Sequence, residues 1–317
     1  MKNVLMTLAF VVASCLTGLA DTTPQAPPAP LAELWVHTSA EYRGLAYQAY
    51  NTASMQFDRW APLLQKRADG KAYLPGSQKP LAIVLDLDET VIDNSGFQAF
   101  MYRTGATYHP QIWAAWMEFQ AINKNAAPAV PGSVEFLAKA EAMGVTPIYI
   151  SNREAGNEAN TIKVLANNGI NTEGIEKRIL LRQSGEAADE QVARALTGAN
   201  ISAGSAEARR VAEGEGEKES RRLLVLQDYD VLAYFGDVYG DFEPFLEMAG
   251  STQRKFEQRR ASADAHRQNF GRTWFILPNP MYGYWSVGST IPKDGIKDAL
   301  NDYGFEVFVR GRRVLNR

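Results

Sequence analysis

Residues 81–85 read Leu-Ala-Ile-Val-Leu and run without a break into Asp86-Leu87-Asp88-Glu89-Thr90. Five apolar residues in a row, with no polar alternation, suit a strand buried on both faces, as in the middle of a parallel sheet. The same device recurs downstream. Thr146 to Ile150 is apolar and ends in Ser151-Asn152-Arg153, and Val231 to Phe235 ends in Gly236-Asp237. A short strand is expected at Ile179 to Arg182 and a later one at Arg272 to Leu277. Helical patterns fall between them, at Ser133 to Met143 with Gly144 as its C-cap and near Asn157 to Asn167. Strands alternating with helices give an α/β fold, a doubly wound parallel sheet with right-handed crossovers.

Around this core the chain divides by composition. Residues 1–14 carry Lys2 and a short apolar run too brief to span a bilayer, as a signal peptide does. The single cysteine, Cys15, follows Val12-Ala13-Ser14 in a pattern that resembles a bacterial lipobox, and Leu16 after it resembles the outer-membrane sorting pattern. Lipidation at Cys15 would anchor an exported protein to the outer membrane. Cleavage after Ala20 would instead discard the cysteine and release the chain to the periplasm. Residues 15–31 form a proline-rich tether. Residues 32–78 repeat apolar side chains at helical spacing, which predicts N-terminal helices packed on the core. The core covers 79–317, with a small, mainly helical cap at about 95–130. An Ala-, Gly-, Glu- and Ser-rich insertion at about 184–217 reads as solvated and partly helical. The net charge of -3 exerts no general attraction on nucleic acid, and one cysteine permits neither an intrachain disulfide nor a thiolate zinc cluster.

The three polar strand ends matter because ligands of open parallel sheets bind beyond the carboxyl ends of the strands. Asp86 and Asp88, two apart, can face one crevice there. Carboxylates so close repel, which favours a shared proton or a divalent cation. Magnesium suits such a site, since it takes oxygen ligands and keeps waters and substrate phosphate in its shell; Asp237 would complete the set. Asp86 could then attack phosphorus, with Asp88 protonating the leaving oxygen and later activating water, which predicts an acid-shifted optimum. A solvated turn or calcium loop is the competing reading of Asp86-x-Asp88, but neither needs a buried strand before it. Ser151 alone could cap a helix. Asp93 and Asn94 read as loop support, Arg153 as a phosphate contact or a surface ion pair. His37, His109 and His266 lack ligand-like neighbours.

The segments IVLDLDETVIDN, ISNR, KESRR and FGDVYGDF resemble, in order, the four motifs of haloacid-dehalogenase-type phosphatases. More narrowly they resemble the class C bacterial acid phosphatases, the DDDD group that includes lipoprotein 5'-nucleotidases, over about residues 35–285. The resemblance implies that Asp86 is nucleophile and metal ligand. It makes Asp88 acid, base and backbone-carbonyl ligand, Asp237 a direct ligand, and Asp241 an organiser of the metal shell. Ser151 and Asn152 would hold phosphate and Lys218 would neutralise charge beside Asp86; Lys163 and Lys177 are alternatives. Trp113 and Tyr282 would form an aromatic slot for a base or aryl group, with Phe97 and Trp116 nearby. Trp113 and Trp116 could equally face a core. The segment INKNAAPA (122–129) makes the cap longer than the family pattern. The expected function is a magnesium-dependent acid phosphatase, with one Mg2+ per chain, acting on nucleoside monophosphates and aryl phosphates. The alternatives are a non-catalytic surface lipoprotein binding nucleotide or haem, and a phosphotransferase using the same site. A homodimer is compatible with the sequence.

Overall fold

The computed structural model describes residues 30–213, 218–243, 252–283 and 285. The leader, almost all of the tether, Cys15 and residues 286–317 lie outside them. Two helices open the described chain, α1 (Pro30–Thr38) and α2 (Ala40–Trp60). The Ser39 side chain caps α2 by accepting from the Tyr42 backbone N–H at 3.0 Å. Tyr42, Ala46, Tyr50, Ala53 and Phe57 recur every three or four residues and form its buried stripe.

A two-residue antiparallel pair, β1 (Gln65–Lys66) with β2 (Ala72–Tyr73), leads into β3 (Leu81–Leu85). There follow the helices α3 (Ser95–Thr104), α4 (Pro110–Ile122) and α5 (Ser133–Ala142), then β4 (Thr146–Glu154), α6 (Glu158–Asn167) and β5 (Ile179–Arg182). The helices α7 (Glu186–Gly198), α8 (Ala206–Glu213) and α9 (Lys218–Asp228) precede β6 (Asp230–Gly236); α10 (Thr252–Ala265) and β7 (Trp274–Ile276) follow it. The five long-range strands form one parallel sheet in the order β5-β4-β3-β6-β7. All five expected strands are present, and β4 runs four residues past its apolar part, through Ser151-Asn152-Arg153.

The sheet is covered on both faces. Leu81, Ile83 and Leu85 join the larger core with α2 and α5, where Phe235 stacks against Tyr50 at 5.9 Å and Phe275 at 4.9 Å and lies 4.8 Å from Phe136. Ala82 and Val84 face the other way, against Ile148, Ile150 and Val225 of α9. Both faces of β3 are thus apolar, which is why its sequence does not alternate.

Within the 184–217 segment, the described residues 184–213 are more ordered than the composition suggests. They build α7 and α8, which pack on α9 and on each other. Ala195 is fully buried and Ala208 and Val211 nearly so. Alanine gives strong helix propensity but little hydrophobic signal, so the sequence shows the helices poorly until a partner buries their small apolar stripe. Helices α3 and α4 form the expected helical cap, closed by Phe97, Met101, Ala106 and Ile112. Among the described residues no helix is long and apolar enough to cross a membrane.

Candidate active site

Chain order reverses between β3 and β6: β4 and β5 extend the sheet to one side of β3, β6 and β7 to the other. That switch point opens a crevice beyond the strand ends. Asp86 follows β3 directly and its backbone N–H donates to Phe235 O at 2.9 Å, while Asp237 follows β6. The turn after β3 is tied down from several sides. Leu87 O accepts from the amides of Val91 and Ile92, and Glu89, at φ 58°, turns back to accept from the Asn94 amide through Oε1 at 2.7 Å. From α2, the buried Tyr50 hydroxyl donates to Thr90 O at 2.7 Å.

One carboxylate oxygen each from Asp86, Asp237 and Asp241 lies within 4.8 Å of the others. Asp241 is placed by its own backbone neighbours, since its Oδ2 accepts from the amides of Asp237 and Val238, both at 3.1 Å. Asp237 is held by Thr90 Oγ1 at 3.2 Å and by Asn279 Nδ2 at 2.8 Å. Lys218, 5% exposed at the start of α9, donates from Nζ to Asp86 Oδ1 and Asp241 Oδ1, both at 2.6 Å. Neither Lys163 nor Lys177 lines this crevice.

The electrostatics of the cluster suit a cation. Burial pushes the Asp86 carboxyl up to about 6; the Lys218 ammonium pulls it down, and Asp241 and Asp88 push it further up. Burial, then Asp241 and Asp86, hold Asp237 well above the usual carboxylate range. Burial disfavours the Lys218 ammonium, yet Asp241 and Asp86 outweigh it and the net shift is upward. Asp86, Asp237 and Asp241 crowd around a single lysine, so their mutual repulsion is only partly compensated. Hard oxygen donors in a buried, acidic cluster fit a divalent cation, whose charge would offset that repulsion. The carboxylates within reach of one ion are therefore Asp86, Asp237 and Asp241, while the Asp88 side chain is turned elsewhere.

Asp88 meets Arg153. Nη2 donates to Asp88 Oδ1 at 2.7 Å, and Nε reaches both carboxylate oxygens at 3.1 Å. The arginine is 1% exposed, so its ion pair is not a surface one: it is internal, within the crevice wall. Asn94 Nδ2 adds a bond to Asp88 Oδ1 at 2.7 Å. Ser151 is fully buried, with its Oγ 3.4 Å from Asp88 Oδ2 and accepting the Arg153 amide at 3.2 Å. Asn152, by contrast, is on the crevice wall, its Oδ1 held by Arg221 Nη2 at 2.6 Å. The second nitrogen of Arg221, Nη1, binds Ser151 O at 2.6 Å, so KESRR clamps the strand end that carries SNR.

These groups form one end of a cavity of about 310 Å³ whose other walls are aromatic and apolar, including Phe97, Met101, Tyr108, Trp113 and Tyr282. Trp113 stands edge-on to Phe97 at 4.9 Å. Trp116 takes a different part: its indole N–H donates to Asn94 Oδ1 at 2.9 Å, beneath the cavity. Asn279 Oδ1 accepts from the amides of Met281 and Tyr282, linking the Tyr282 loop to Asp237. The sequence did not single out Gln98, Met101, Tyr108 or Asn279, and only the fold brings Asn279 to Asp237. The three histidines act elsewhere. His37 pairs with Glu33, His109 caps α4, and His266 bonds Ser262 and Glu243.

The family described as HAD superfamily, subfamily IIIB (Acid phosphatase), matches residues 17–285. Among solved structures, the class C acid phosphatase from Bacillus anthracis is 34% identical, with a TM-score of 0.59 over 81% of this chain and 85% of that one. A structure of class C acid phosphatase from Bacillus anthracis with tungstate bound is 32% identical, with a TM-score of 0.62 over 86% of this chain and 96% of the other. On sequence and fold together, this chain belongs to the class C acid phosphatases of the HAD superfamily and is a phosphomonoesterase.

Proposed function

We propose that the enzyme is a magnesium-dependent phosphatase that works through a phosphoryl group carried on Asp86. The observation behind this reading is Asp86 itself, a buried carboxylate at a strand end with Lys218 Nζ 2.6 Å away and two further aspartates within reach of one ion. Asp86, Asp237 and Asp241 would hold the magnesium, with the Asp88 backbone carbonyl as a further ligand. When bound, the ion would neutralise phosphate charge and let an anionic nucleophile approach.

Asp86 Oδ attacks phosphorus and the ester P–O bond breaks. The leaving oxygen takes a proton from Asp88, which ends as carboxylate. Asp88 then draws a proton from water, whose oxygen attacks phosphorus and frees Asp86 and inorganic phosphate. Lys218 keeps Asp86 anionic between turnovers, and Asn152, with Ser151 behind it, orients the phosphoryl oxygens. Trp113 and Tyr282 would stack the organic part, which suits nucleoside monophosphates and aryl phosphates and is worth about 1–3 kcal/mol per base. Cys15 would carry the lipid that retains the exported enzyme at the outer membrane.

The test is Asp86→Asn. It should lower kcat by at least about 10³-fold, and acid-quenched wild-type enzyme should yield a hydroxylamine-labile phosphoprotein that the variant lacks. Turnover retained in the variant, or wild-type phosphoprotein stable to hydroxylamine, would end the reading.

A further inference from the structure

We propose that Arg153 and Gln120 are positioning residues which aim Asp88 at the leaving group, through a hydrogen-bonded ring that ties the general acid to the cap. The proposal rests on Asp88 being that acid. Four side chains close the ring. Arg153 Nη2 donates to Asp88 Oδ1 and, at 3.0 Å, to Gln120 Oε1. Gln120 Nε2 donates to Asn94 Oδ1 at 3.3 Å, and Asn94 Nδ2 returns to Asp88 Oδ1 at 2.7 Å. Arg153, Gln120 and Asn94 are each 1% exposed, whereas the Asp88 side chain keeps 17%.

The direction of every bond in the ring is fixed. An indole N–H and a guanidinium can only donate. Trp116 Nε1, at 2.9 Å, therefore makes the nearer Asn94 atom its oxygen and turns the amide nitrogen to Asp88. Arg153 likewise makes the nearer Gln120 atom its oxygen and turns the other amide nitrogen to Asn94. Two donor-only groups thus set two amides that could otherwise flip. The outcome at Asp88 is asymmetric. Oδ1 receives both 2.7 Å bonds, while Oδ2 has only Arg153 Nε at 3.1 Å and Ser151 at 3.4 Å. Oδ2 keeps the spare lone-pair capacity that holding and passing a proton requires.

Gln120 lies in the last turn of α4, seven residues after Trp113 and so on the same helical face. One cap helix therefore supplies both a wall of the substrate cavity and the brace of the acid. A ring that merely stabilised the fold would affect all substrates alike. A ring that aims the acid affects them according to how much the leaving oxygen needs a proton.

The experiment measures kcat/KM for magnesium-loaded enzyme on dinitrophenyl phosphate, phenyl phosphate and a primary alkyl phosphate. Gln120→Leu keeps every charge and is the deciding variant. It should lose about 10–100-fold on the alkyl ester and less than about threefold on the dinitrophenyl ester, a fraction of the 10²–10⁴ that general acid catalysis supplies. Arg153→Lys keeps the charge but loses the fork. It should show the same slope, and it decides the matter if Gln120→Leu does not fold. Asp88→Asn sets the scale. If that variant is steeply leaving-group dependent while the deciding one loses nothing, or loses equally on all three esters, the ring proposal falls and the acid assignment stands. If Asp88→Asn itself loses equally on all three, the acid assignment falls and takes the ring with it.

Discussion

A Cβ built on Gly236 would stand 2.2 Å from both Cβ and Oδ2 of Asp241, far inside van der Waals contact. The glycine before Asp237 is there so that Asp241 can fold back over it and accept the Asp237 and Val238 amides. Gly236→Ala should displace Asp241 from the carboxylate cluster and from Lys218. We expect the half-saturating magnesium concentration to rise at least about tenfold, the scale of change seen when supports of metal ligands are lost. Activity titrated against the ion at fixed substrate measures it, and an unchanged titration would refute the role given to Gly236. Asp86, Asp88 and Asp237 were legible as candidates because they close apolar strands, whereas Asp241 was marked only by the family resemblance. The orientation of Asp88 toward Arg153 was not legible, because a carboxylate two residues from another can face any of several partners.

Among elements, α2 does more than cover the sheet. Tyr50 stacks on Phe235 and hydrogen-bonds Thr90 O in the turn that presents Asp86 and Asp88. Tyr50→Phe removes only the hydroxyl and leaves a buried carbonyl unpaired. It should cost about 1–3 kcal/mol of unfolding free energy in urea titrations. The short helix α1 is tied down differently. Glu33 is 5% exposed, and burial pushes its carboxyl up to about 7; the nearby His37 opposes this and Asp93 adds to it. A folded value above the unfolded 4.5 means the protonated form is favoured by folding. That contribution is complete below about 4.5 and is lost as pH rises through about 7. Glu33→Gln should therefore gain stability over wild type at about pH 8, by a few degrees of Tm, with the difference shrinking or reversing at about pH 4. Parallel melting curves at the two pH values check the sign. The helices of 184–217 show how little of an element's order is visible when its apolar stripe is alanine.

At the scale of the molecule, a bound ion and the fold would be coupled. Buried carboxylates with too few cations oppose folding, and a ligand that binds only the folded state stabilises it by mass action. Magnesium at about 100 times its Kd should add roughly 2.7 kcal/mol, read as a rise in Tm over chelated enzyme. Equal melting temperatures with and without the ion would argue against a site in the acidic cluster. Apolar runs without alternation, each closed by a polar cluster, determined the sheet, its parallel sense and the end of it where chemistry gathers, because burial on both faces and a shared crevice are consequences of local pattern. The sequence by itself could not set which side chains meet. Asn279 beneath Asp237, Gln120 against Arg153 and Lys218 between two aspartates are contacts between segments far apart in the chain. No local preference encodes them, and only the packing of strands and cap onto one another decided them.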